Sequence, residues 1–148
     1  MKSKILGEIE PHEFDPDLYF GQPIGVPYFD NKKINVGIGA ANHQETLIES
    51  DKVLAKFMSL NSTDRHNHSK PIIKYYETCV KFGICDKIEM NSDNEIWDYV
   101  NPTEIIVDSE MDSGFYVMVS CECKWEPEHG LQLEFLNGTD LVRAGGHE

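Results

Sequence analysis

The stretch FYVMVSCECKWEPEHGLQLEFLNG, from Phe115 to Gly138, decides the fold class of this chain. Every odd position from Phe115 to Trp125 is apolar or a thiol: Phe115, Val117, Val119, Cys121, Cys123, Trp125. The even positions carry Tyr116, Met118, Ser120, Glu122 and Lys124. Successive side chains of a strand point to opposite faces, so the pattern predicts a long strand with one dry face and one wet face. Glu126-Pro127-Glu128-His129-Gly130 then reverses the chain, and Leu131, Leu133 and Phe135 form the next inward row. Asn137-Gly138 is the preferred pair for a two-residue type I′ turn. A loop of those two residues places Leu133 opposite Val142 and Leu131 opposite Ala144, on a shared face. The expectation is a three-stranded antiparallel meander.

Working toward the N-terminus, Glu104 to Asp108 reads as a strand centred on Ile105, Ile106 and Val107. Glu95 to Val100 suits a short helical turn that inserts Trp97 as a core anchor. Before it, Ile72, Ile73, Tyr76, Cys79 and Val80 make the buried face of a helix with Pro71 in its first turn and Gly83 at its end. Asn61 to Ser69 is polar and reads as a linker, with His66-x-His68 as a solvated pair. Another helix is predicted between about Asn42 and Leu60, burying Leu47, Leu54 and Met58 on one stripe that Val53, Phe57 and Leu60 broaden. Asn42 is its expected N-cap, with Glu45 three residues on. Ile24 to Phe29 and Ile34 to Ile38 flank Asp30-Asn31-Lys32-Lys33 and read as a hairpin. Residues 1–22 hold Pro11 and Pro16 and look like a lead-in docked through Phe14, Leu18, Tyr19 and Phe20.

The predicted fold class is α+β: an antiparallel sheet with a C-terminal three-stranded meander and two principal helices packed on one side. The 148 residues make one domain, 1–148, long enough to close a core. Hydrophobic residues are 40% of the chain, which argues against disorder. Against 26 acidic residues stand 13 basic ones, a net charge of −13. Such a surface repels phosphate backbones and anionic lipid, so neither nucleic acid nor membrane is an expected partner. A basic protein is the favoured one. The N-terminus lacks the apolar core of a secretory signal, and four cysteines without that context are read as reduced thiols in the cytoplasm.

No G-x-S-x-G, phosphate-loop, H-E-x-x-H or EF-hand pattern occurs, and no cofactor is implied. Acids concentrate between Asp86 and Asp112, where Asp93, Glu95, Asp98, Glu104, Asp108, Glu110 and Asp112 are the candidate partner-binding residues. Asp108, Glu110 and Asp112 alternate as some calcium loops do but lack the required glycine and glutamate. The alternative chemistry is a metal module or metal-dependent enzyme on Cys121, Cys123 and His129, with His147 as a fourth donor, because thiolates and imidazoles suit zinc. C-x-C on a strand is not a zinc-knuckle spacing, and the alternation sends both thiols inward. Cys79-x₅-Cys85 is a weaker pairing still. Glu126, Glu128 and His129 share one turn and could serve acid/base work, against the simpler reading of a locally hydrogen-bonded turn.

Trp125 to Gly138 (WEPEHGLQLEFLNG), with Asn101 to Val107 (NPTEIIV), Ser120 to Cys123 (SCEC) and Leu18 to Asp30 (LYFGQPIGVPYFD), resembles a group of small uncharacterised bacterial domains. That resemblance implies an α+β domain with no assigned catalytic residues, of a kind associated with immunity and other interaction proteins of bacterial toxin systems. In such proteins the segment after Arg143 runs on for several more residues, so this chain is expected to end early. The functional expectation is a non-enzymatic cytoplasmic protein-binding domain, in its sharpest form an immunity protein that neutralises a basic toxin through an acidic surface.

Overall fold

A computed structural model describes residues 1–110 and 113–147. The strands in chain order are β1 (Lys2–Ser3), β2 (Gly7–Glu8), β3 (Glu10–Pro11), β4 (Leu18–Phe20), β5 (Ile24–Val26) and β6 (Lys32–Gly39). Three helices follow, α1 (Gln44–Met58), α2 (Ser62–Asn67) and α3 (Ser69–Lys81), then β7 (Val100–Glu110), β8 (Gly114–Cys123), β9 (Leu131–Leu136) and β10 (Asp140–Gly145). Short 3₁₀ helices cover Pro27–Phe29 and Asp93–Tyr99. Among the described residues no helix is long and apolar enough to cross a membrane.

The fold is α+β, as the sequence indicates. One sheet runs in the order β10-β9-β8-β7-β6-β4-β3, with β5 also pairing with β6. It is antiparallel through the C-terminal meander, with a parallel junction where β6 meets β7. That junction follows from the helices lying between the two strands in sequence, since only a long crossover returns the chain in the same direction. The odd positions of β8 and β9 are buried as the alternation predicts: Val117, Val119, Leu131, Leu133 and Phe135 are all 0% exposed. The helices cover this side. Phe57 of α1 meets Phe135 at 5.1 Å between ring centroids, and Tyr76 of α3 meets Trp125 at 6.0 Å. Trp97 enters the same core, its indole N–H donating to Ser69 Oγ at 3.0 Å.

Four local expectations are corrected. The α1 N-cap is His43 and not Asn42, and it makes no side-chain cap bond. A tight turn at Ala40 (φ 52°), closed by His43 N–H donating to Ala40 O at 3.0 Å, delays the helix start. The capping box lies instead in the stretch read as a linker. Asn61 Oδ1 accepts from Thr63 N–H at 2.9 Å, and Asp64 Oδ2 accepts from Asn61 N–H at 2.9 Å, so residues 62–67 are helical. Leu18, Tyr19 and Phe20 dock the lead-in as strand β4 against β6, but Phe14 is 85% exposed, and Leu6 and Ile9 are the buried anchors the sequence did not single out. In the last hairpin Leu136 pairs with Asp140, leaving a three-residue loop, and a bulge at Val142 puts Ala144 against Leu133. Val142 therefore faces solvent rather than Leu133.

Candidate functional site

The alternation that buries one face of the sheet leaves a second face with no helix over it among the described residues. Its register is read from the strand pairs. One row runs Leu18, Gly39, Asp108, Tyr116, Leu136, Asp140, and the next runs Phe20, Gly37, Ile106, Met118, Glu134, Arg143. A third holds Asn35, Glu104, Ser120, Gln132 and Gly145. Ile106, Tyr116, Met118 and Leu136 are half-buried and contiguous across three strands. Phe20 reaches this group because Gly37 has no side chain: a Cβ there would lie 2.6 Å from the Phe20 ring. Gly39 likewise makes room for Asp108, whose Oδ1 would sit 2.6 Å from a Cβ at that position.

Around that apolar centre the charges are mostly negative. Glu104, Asp108, Glu122 and Asp140 have no ion-pair partner among the described residues. Glu134 is paired with Arg143 at 3.2 Å, and Arg143 is the cation of the three rows. Asn101 Nδ2 donates to Glu122 Oε1 at 3.0 Å and Ser109 N–H donates to Asp108 Oδ1 at 2.8 Å, which steadies both carboxylates without neutralising them.

The structure divides the acidic residues singled out in the sequence. Glu104, Asp108 and Glu110 share the helix-free face of β7. Asp93, Glu95 and Asp98 lie on the 3₁₀ helix Asp93–Tyr99, which packs with α3, and Glu95 Oε2 accepts from Asn91 N–H at 2.9 Å. Asp112 lies outside the described residues. Sequence reasoning missed Glu122, Glu134, Asp140 and the apolar centre, although the even positions of the strands carried the signal once the register was known.

The metal alternative is placed differently from its sequence form. Cys121 and Cys123 are buried in the inward row as free thiols. Burial holds the Cys121 thiol well above its ordinary pKa and pushes Cys123 up to about 12, so both stay protonated at neutral pH. His129 joins Glu126 and Glu128 instead, their ligand atoms lying within 4.8 Å of one another. Glu126 is already engaged by its own turn. It accepts from the N–H of Glu128 at 3.0 Å and of His129 at 3.2 Å, and its Oε2 lies 3.2 Å from His129 Nδ1. Burial opposes ionisation there, yet these hydrogen bonds hold the carboxyl below its usual range. His147 N–H donates to His129 O at 2.8 Å, and its ring meets Ser120 Oγ at 3.1 Å.

His66 is exposed, but His68 is not a solvated linker residue. Its Nδ1 lies 3.0 Å from the Tyr28 hydroxyl, and partial burial lowers its pKa, so the half-buried imidazole is a neutral hydrogen-bonding partner of Tyr28.

Among known proteins, the sequence model of the family described as Domain of unknown function (DUF6985) matches residues 5–148, so the chain belongs to that family. No curated protein and no solved structure matches it.

Proposed function

We propose that this DUF6985 domain is a non-enzymatic protein-binding module that receives a basic partner on the helix-free face of its sheet. The observation that carries this reading is the arrangement of that face. A contiguous centre of Ile106, Tyr116, Met118 and Leu136 is flanked by Glu104, Asp108 and Asp140, with Glu122 farther along β8 and Arg143 already taken by Glu134. Half-buried apolar groups supply affinity when a partner excludes water from them, and unpaired rim charges supply rate and selectivity. The net charge of −13 extends the same preference over long range. In its finer form the module is an immunity protein of the bacterial cytoplasm whose partner is a basic toxin, a role supported by the charge and by the resemblance of its motifs.

The experiment is kinetic. The partner is isolated with the protein from the native cell, and association is followed at low and high salt for the wild type and for Glu104→Gln/Asp108→Asn/Glu122→Gln. The triple variant should associate at least about tenfold more slowly at low salt and converge with the wild type as salt rises. Its melting temperature should barely move. Equal rates at low salt would remove the electrostatic part of the proposal.

A further inference from the structure

We propose that the turn between β8 and β9 is a binding site for a divalent transition-metal ion such as zinc, with Glu126, Glu128 and His129 as its protein ligands. The three side chains offer donor atoms within 4.8 Å of one another. This site is separate from the partner-binding reading above, and neither needs the other.

Two observations set this group apart from a patch of surface acids. The first is a buried charge with no fixed counter-ion. Glu126 is 7% exposed, and no Lys or Arg pairs with it or with Glu128 among the described residues. Its one ionic neighbour is His129, which is charged only when protonated. Carboxylates taken out of water are ordinarily paired with a cation or bound to a metal. The turn's own N–H groups, from Glu128 at 3.0 Å and His129 at 3.2 Å, go to Oε1, which leaves Oε2 facing the imidazole.

The second observation is spacing. Glu126 Oε2 and His129 Nδ1 are 3.2 Å apart. Two donors bound to one ion at about 2.1 Å lie about 3.0 Å apart at a right angle and about 3.4 Å apart at the tetrahedral angle. The pair therefore already has the separation of neighbouring ligands, and an ion takes the place of the single hydrogen bond between them. Nδ1 then gives its lone pair to the ion, and the ring proton sits on Nε2. Glu128 is exposed and free to bring an oxygen as third ligand, with water completing the shell. The backbone holds the turn ready: Gly130 N–H donates to Glu126 O at 2.9 Å, the Tyr75 hydroxyl to Gly130 O at 2.7 Å and His147 N–H to His129 O at 2.8 Å. An imidazole with two carboxylates suits zinc and its first-row neighbours, whereas calcium and magnesium favour shells made of oxygen alone.

The test is a titration of metal-free, ¹⁵N-labelled protein with zinc and, separately, with calcium, read from the backbone and imidazole signals. Zinc should move the amides of residues 126–130 and the His129 ring saturably, with a dissociation constant of about 1–100 μM, and leave the ring of the exposed His66 still. Glu128→Gln and His129→Ala, both at exposed positions, should each weaken zinc about tenfold or more, and Glu128→Gln should do so at an unchanged melting temperature. Cys85→Ser should bind like the wild type, which separates this site from capture by the half-buried thiol. The proposal is overturned if zinc at about 1 mM leaves the His129 ring unmoved, or if calcium binds more tightly than zinc. Wild-type affinity in either Glu128→Gln or His129→Ala, or loss of zinc in Cys85→Ser, overturns it as well. The wild-type titrations decide it even if a variant does not fold.

Discussion

Replacing Gly138 by alanine, beside the same change at Gly83, measures how firmly the last hairpin is seated on α1. Both glycines have positive φ, +90° at Gly138 and +72° at Gly83. An alanine in that region costs about 1 kcal/mol, and the loss of chain freedom in the unfolded state offsets part of it at both sites alike. The sites differ in what a methyl group would meet. At Gly83, the residue after the α3 cap, nothing lies within 4 Å. At Gly138 the methyl would be driven into the Val53 carbonyl oxygen, with Phe57 N at 3.2 Å and Lys56 Cβ at 3.3 Å. Backbone atoms of a helix cannot step aside singly, so the hairpin must lift from α1 or the helix must move. Overpacking of this kind adds about 1–3 kcal/mol. Gly83→Ala should therefore lower stability by about 1 kcal/mol or less, and Gly138→Ala by about 2–4 kcal/mol. Urea unfolding gives both numbers from midpoints at constant slope. Equal losses in the two variants would refute the seating of the turn on α1.

Asn61→Ala removes the acceptor of the α2 capping box and should cost about 1 kcal/mol in the same assay, with Asn61→Gly closer to wild type. Glu126 has a folded pKa below its unfolded value near 4.5, so its contribution is complete above that pH and is lost as pH falls through the lower folded value. Acid titration of stability in Glu126→Gln should accordingly show a shallower fall below about pH 5 than the wild type. An aromatic disulfide reagent should label half-buried Cys85 in the native protein and reach Cys121 and Cys123 only on unfolding; rapid labelling of all four thiols would contradict the buried row.

Much of the fold was legible because period and burial agree in β8 and β9, where each inward position from Val117 to Phe135 proved to be core. The misread places turn on backbone geometry that residue type alone does not fix. Asn42 and Asn61 look alike as caps, and the turn at Ala40 selects against the first. The Asn137-Gly138 pair predicted a two-residue loop, but the structure has three and a bulge that turns Val142 outward. Asp51 carried no signal at all. It is buried on α1 because Ser3 Oγ donates to it at 2.5 Å and Lys4 N–H at 2.9 Å, across nearly fifty positions of sequence. The candidate face was half legible for a similar reason. The acids of β7 could be read one by one, whereas their union with Glu122, Glu134 and Met118 needs the strand register.

A partner seated on the helix-free sheet face would cover Tyr116 and Met118, which allows a direct reading. Met118 and Tyr116 react readily with hydroxyl radicals and lie half-buried at the middle of that face. Footprinting of the protein alone and in the complex purified from its native cell should show both strongly protected in the complex. The exposed Phe82, at the far end of α3, should be unchanged and serves as the internal reference. Unaltered labelling of Met118 and Tyr116, with protection appearing at Phe82 instead, would contradict the account.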